Sequence, residues 1–118
     1  MKTRVALAAV VAASCLSATY LAGPAFADTS SKKIALSNNY AGNSWRQAML
    51  KSWATVTSKA VADGVVADAA AFTTAENQAT EQAAQIQNLI LQGYDAIVVN
   101  AASPTALNGA VKEACDAG

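Results

Sequence analysis

The chain has 118 residues, 53% of them hydrophobic and 14% charged, with eight Lys and Arg against eight Asp and Glu and no histidine. That balance leaves no electrostatic footprint for nucleic acid or an anionic membrane surface. Without histidine, catalytic triads, imidazole acid–base chemistry and histidine metal sites are excluded.

The first 27 residues, MKTRVALAAVVAASCLSATYLAGPAFA, join two cations (Lys2, Arg4) to an acid-free apolar stretch and end in Ala25-Phe26-Ala27. This is the pattern of a secretory signal peptide, residues 1–27, with an A-x-A cleavage site. An uncleaved membrane anchor competes, but Gly23-Pro24 and the alanines favour cleavage. A lipoprotein with Cys15 lipidated is weaker, because Ala12-Ala13-Ser14 lacks the usual branched residue. Losing Lys2 and Arg4 leaves six bases against the eight acids, and losing Cys15 leaves Cys115 alone. A disulfide framework is then excluded despite export, and Cys115 is expected as a buried or half-buried helix residue.

Lys32 to Ser37 reads as a buried first strand. Ser44-Trp45-Arg46-Gln47 fits an S-x-x-Q capping box at the start of a helix whose apolar face is Trp45, Met49, Trp53, Val56 and Ala60. Asp63-Gly64 stops that helix. Val65 to Ala67 with Ala69 to Phe72 is the second strand candidate. Thr73 to Glu76 offers another capping box, followed by an apolar face of Ala79, Ala83, Ile86 and Ile90 up to Gly93. Tyr94 to Asn100, with its β-branched Ile97-Val98-Val99 core, is the strongest strand signal and predicts burial on both faces. Ser103-Pro104 supplies an N-cap and a proline at the first helical position, ahead of Leu107, Ala110, Val111 and Ala114.

Strand and helix therefore alternate three times. Short connections make this an α/β domain, a three-layer parallel sheet with helices on both faces and right-handed crossovers. The chain ends at Ala117-Gly118, a helix-terminating glycine, where a return to a fourth strand is expected.

Catalytic chemistry finds little to use. The carboxylates are scattered over turns and helix faces, and Gly42 alone makes no phosphate-binding loop. In parallel α/β sheets, ligands bind outside the carboxyl ends of the strands. The loops there, Asn38 to Asn43, Phe72 to Thr74 and Asn100 to Ser103, are rich in amides and hydroxyls, which suits a neutral polyol such as a sugar. Arg46 can donate to two hydroxyl oxygens at once, and Trp45 can either stack on a sugar ring or begin the apolar stripe.

The start KIALSNNYAGNSWRQAM and the segment LQGYDAIVVNAASPTAL, with the leader, give the mature chain a resemblance to the beginning of a ribose-type (type I) periplasmic sugar-binding protein. That family is the substrate receptor of an ATP-driven (ABC) importer. The resemblance implies the partial N-terminal lobe of a type I periplasmic binding protein over residues 28–118, no enzymatic activity and no cofactor. It implies a monosaccharide ligand, delivery to a permease and its ATPase, a periplasmic location (cell-surface if lipidated), and a chemoreceptor or sensor kinase as a further partner. Asn43, Trp45 and Arg46 fall on the family's sugar-contact positions, and the Trp-Arg pair is similar to that of galactofuranose-type receptors. Asn39, Tyr40 and Ser103 lie on the same rim. Full-length members close two lobes over the sugar, so this chain by itself is expected to bind feebly, without micromolar affinity. The competing classes are an exported flavodoxin-like enzyme fragment and a sugar sensor acting on a membrane signalling protein.

Overall fold

A computed structural model describes residues 27–118; the expected signal peptide, residues 1–27, and Cys15 lie outside the described residues apart from Ala27. The elements are β1 (Lys33–Asn39), α1 (Ser44–Ala62), β2 (Asp68–Thr74), α2 (Ala79–Leu91), β3 (Ala96–Asn100) and α3 (Asn108–Ala117). The strands form one parallel sheet in the order β2-β1-β3. This is the predicted α/β alternation, with β1 flanked on both sides.

The central place of β1 explains its sequence. Ala35 to Asn39 are buried in succession, as a strand between two neighbours and two helix layers requires. The strand runs two residues beyond the predicted Ser37. Asn38 and Asn39 stay in the ladder opposite Thr73 and Thr74, and their amides find side-chain and backbone partners there, so polarity does not end the strand.

β1 to β2 and β2 back to β3 are crossovers in opposite directions, and right-handedness puts their helices on opposite faces. α1 packs on β2, while α2 packs on β1 and on α3. On the α2–α3 face, Ile86, Leu107 and Ala110 form the buried cluster, joined by Ala79, Ala83, Ile90, Ile97, Val99 and Ala114. The predicted stripe of α2 is thus the stripe that packs. Val98 points to the other face and remains 47% exposed, since α1 covers β2 rather than β3.

Several local expectations need correction. α1 has no fully buried residue, and Trp45 and Val56 of its predicted face are 64% and 68% exposed. The half-buried positions are Arg46, Met49, Leu50, Trp53, Thr57 and Ala60, a stripe centred on Trp53 and rotated away from Trp45. The second strand begins at Asp68; Val65 to Ala67 carry the end of a turn, with Val66 buried but outside the ladder. The Thr73–Glu76 capping box does not form, because Thr73 and Thr74 belong to β2. Instead, α2 starts at Ala79 after a left-handed Asn77 (φ 57°). Ser103 caps a turn rather than α3, its Oγ accepting from Thr105 N and Ala106 N at 3.4 and 3.1 Å, and the helix begins at Asn108. Cys115 is exposed rather than buried, about 100° round α3 from the packed Ala114.

Both long helices end in a Schellman motif. Gly64 and Gly93 each have φ 71°. Gly64 N donates to Val61 O and Val65 N to Ala60 O; Gly93 N donates to Ile90 O and Tyr94 N to Leu89 O. A side chain at either glycine would be strained by the left-handed backbone. The beginning of β3 is fastened to β1 by Asp95, whose Oδ2 accepts from Lys33 N at 2.8 Å and whose Oδ1 accepts from Lys32 Nζ at 2.9 Å.

Candidate binding rim

The carboxyl ends of the three strands form a polar shelf built around Asn38. Its side chain is fully buried, and every hydrogen-bonding position on it is used. Oδ1 accepts from Arg46 Nη1 at 3.1 Å and from Asn100 Nδ2 at 3.1 Å. Nδ2 donates to Tyr40 O at 3.1 Å and to Thr73 Oγ1 at 3.3 Å. One amide therefore joins α1, the loop after β1, and the ends of β2 and β3.

Arg46 reaches this amide because the first turn of α1 projects it over the end of β1. Its Nη1 also donates to the carbonyl of Asn39. Its Cζ lies 5.8 Å from the centre of the Trp45 ring, within cation–π range. None of the ion pairs among the described residues involves Arg46; they join Lys32 to Asp95, Lys59 to Asp63 and Lys112 to Asp116. The guanidinium is half-buried and held by neutral oxygens, with its remaining N–H groups available to a ligand.

The N-terminus of α1 corrects the predicted box. Asn43, not Ser44, is the N-cap, and its Oδ1 accepts from Arg46 N at 2.9 Å. Gln47 Nε2 donates to Ala41 O at 3.2 Å, so it braces the loop instead of the cap amide. Asn43 thus helps aim Arg46 through the backbone, and its exposed Nδ2 donors remain free.

Tyr40 turns the chain with a left-handed backbone (φ 68°), its N–H donating to Thr74 O at 3.1 Å. The ring folds over Gly42, where an added Cβ would meet it at 2.1 to 2.4 Å. Asn39 is buried and accepts at Oδ1 from Asn77 N at 3.2 Å, tying β1 to the entry of α2. Ser103 is half-buried on the β3–α3 loop, with its hydroxyl engaged in the turn. Of the residues expected on the rim, Asn39, Asn43, Trp45 and Arg46 come together, Tyr40 borders them, and Ser103 stands apart on the neighbouring loop.

Sequence reasoning missed Asn38, Asn100 and Gln82 as organisers of the shelf. Gln82 is fully buried, donating to Ser37 O, Ser37 Oγ and Asn100 O and accepting from Ala102 N at 2.8 Å. The signal was present: Gln82 sits three residues after Ala79 and four before Ile86, a glutamine on the packed face of α2.

Groups whose acidity is displaced lie at the opposite ends of the strands. The hydrogen bonds from Lys32 and from Lys33 N hold the Asp95 carboxyl below its usual range, and Asp95 in turn raises Lys32. Burial, then the Asp68 carboxylate that its hydroxyl touches, pushes Tyr94 up. An apolar cleft of about 440 Å³ between β3, α2 and α3, lined by Ile86, Ile90, Ile97, Val111 and Ala114, is likewise separate from the shelf. The shelf itself offers amides, one guanidinium and an exposed indole, a set suited to holding hydroxyl groups.

The sequence and the fold, rather than the rim itself, have known relatives. Residues 34–118 match the family model described as periplasmic binding protein domain. A crystal structure of an ABC transporter solute binding protein from Thermobispora bispora DSM 43833 is 45% identical, with a TM-score of 0.71, over 74% of this chain and 27% of that one. A periplasmic ribose ABC transporter from Conexibacter woesei DSM 14684 is 18% identical, with a TM-score of 0.61, over 77% of this chain and 29% of that one, and shows likeness of fold. This chain thus spans less than a third of the length of those structures. No curated protein matches.

Proposed function

Since the chain belongs to the periplasmic binding protein domain family, we propose that it is the exported substrate-binding component of an ABC-type sugar importer. It recognises a monosaccharide and delivers it to a membrane permease served by an ATPase, with a chemoreceptor or sensor kinase as a further partner. In this reading residues 1–27 are the signal peptide, residues 28–118 belong to the N-terminal lobe, and the site of action is periplasmic.

The observation that carries the sugar reading is the Arg46–Trp45 pair on the Asn38 shelf. A guanidinium with free donors beside a 64% exposed indole offers hydrogen bonds to hydroxyls next to a face for the ring's C–H groups. Asn43 adds free amide donors at the helix start. Asn39, Tyr40 and Ser103 shape the rim: the fold engages Asn39 Oδ1, the Tyr40 N–H and the Ser103 hydroxyl. The 45% identical structure is described as a solute binding protein, which supports the receptor role and leaves the sugar to the rim chemistry.

An open shelf gives weak binding, so the test is NMR titration of the ¹⁵N-labelled chain with neutral monosaccharides at tens of millimolar, where millimolar affinities of about 4 kcal/mol are detected. Saturable shifts confined to the Arg46 side chain, the Trp45 indole and the Asn43 amide are expected. Equal shifts with an uncharged amide control, or none with any sugar, would overturn the reading.

A further inference from the structure

We propose that Asn38 is the positioning residue of the rim: it fixes the direction of the Arg46 guanidinium, and through Asn100 it sets that direction relative to β3. The inference rests on the proposed function only for what the guanidinium is held to do; the geometry is a property of the chain.

Three observations converge. Asn38 is fully buried on the central strand, so its side chain is an immobile reference. Its Oδ1 takes Arg46 Nη1 and Asn100 Nδ2 together, both at 3.1 Å. Its Nδ2 is fixed from the other side by Tyr40 O and Thr73 Oγ1, and this assigns which end of the amide faces Arg46. An amide is the side chain that serves both sets. A carboxylate would satisfy Arg46 and Asn100 but leave Tyr40 O and Thr73 without a donor, and an aliphatic residue would serve neither. With the Arg46 backbone already placed by the Asn43 cap and the Asn39 carbonyl accepting from the same Nη1, Asn38 is the side chain that completes the hold on the far end of the guanidinium.

The test follows the Arg46 Nε–Hε group by ¹⁵N relaxation in the full chain, whose two arginines, Arg4 and Arg46, are told apart with R46K. In the unsubstituted chain the Arg46 order parameter is expected above about 0.6, the level that separates held from flexible groups. N38A should drop it below that level while the methyl signals of Ile86, Leu107 and Ala110 stay in place. N38D, which keeps the acceptor, should hold Arg46 and loosen the Tyr40 turn instead. A flexible Arg46 in the unsubstituted chain overturns the proposal without any variant. So does an N38A chain with Arg46 unchanged, or an N38D chain that frees Arg46 as N38A does. Should N38A not fold, the unsubstituted chain and N38D still decide. Arg46 released by N38A in a chain that binds no sugar removes the proposed function and keeps the positioning role. Sugar shifts retained with Arg46 indifferent to N38A remove the positioning role alone.

Discussion

Asp95 and Lys32 pair at 2.9 Å across the amino ends of β3 and β1, while the other oxygen of Asp95 takes the Lys33 amide. The acid of the Gly-Tyr-Asp segment is therefore a splice between strands that are 62 residues apart in sequence.

The splice makes stability depend on acidity. The Asp95 carboxyl is held below the ordinary value of about 3.9, so its contribution is complete above that pH and disappears as pH falls through the lowered folded value. Lys32 is raised, so its share is complete below about 10.4 and is lost only as pH rises through its elevated value. Urea midpoints measured from pH 7 to pH 2 should fall across the acid window, and D95N should flatten that fall. An equally steep fall in D95N would assign the acid sensitivity elsewhere.

Gln82 should be the most costly polar residue to remove. Q82A removes the partner of the buried Ser37 carbonyl and of the half-buried Asn100 carbonyl and Ala102 amide, each worth up to about 1–3 kcal/mol when left unpaired. A loss of about 2–4 kcal/mol in denaturant melts is expected, allowing for partial relaxation. A loss under about 1 kcal/mol would mean that water replaces the glutamine.

Asn43 has separable duties. N43A should cost about 1 kcal/mol of stability through the lost cap, and N43D, which keeps an acceptor for Arg46 N, should restore it. If sugar-induced shifts survive in N43D, its Nδ2 donors do not hold the ligand. Thermal melts together with titration of the two variants provide the check.

Gly42 and Tyr40 should behave as one unit. An alanine at Gly42 would collide with the Tyr40 ring, whose far end can swing away. G42A alone should therefore cost less than about 1.5 kcal/mol, the range of an off-rotamer side chain. In Y40A the same substitution should cost almost nothing, and the double-mutant cycle measures the difference. Equal costs in both backgrounds would deny the contact.

Much of the fold was legible because the physics is local. The apolar face of α2, the β-branched core of β3 and the glycines after α1 and α2 each declare themselves within a few residues. α1 misled because Trp45 and Val56 are apolar but lie off the face, while Arg46 and Thr57 lie on it. A helix resting on one edge strand can tolerate this where a fully covered helix could not. The capping box at Ser44 failed locally, because Asn43 takes the cap, and the one at Thr73 failed for a tertiary reason, because the threonines continue β2 in its pairing with β1. The rim was readable as a loop cluster. That Asn38 and Asn100 meet on one Oδ1, however, depends on the pairing of β1 with β3, which places those two residues opposite each other.

The matched endings of α1 and α2 carry a consequence for the shelf. Each helix hands the chain over through the same glycine geometry, so β2 and β3 are launched at nearly one height, Asp68 beside Lys33 and Ala96 beside Ile34. They consequently finish level, with Thr73 and Asn100 both abreast of Asn38. The strands keep this common register although α1 has 19 residues and α2 has 13, so the level of the shelf is set where the strands start, at the far end of the domain. Deleting one residue from the middle of α1 touches no rim side chain, yet it would rotate the launch point by 100° and leave Thr73 out of step with Asn38.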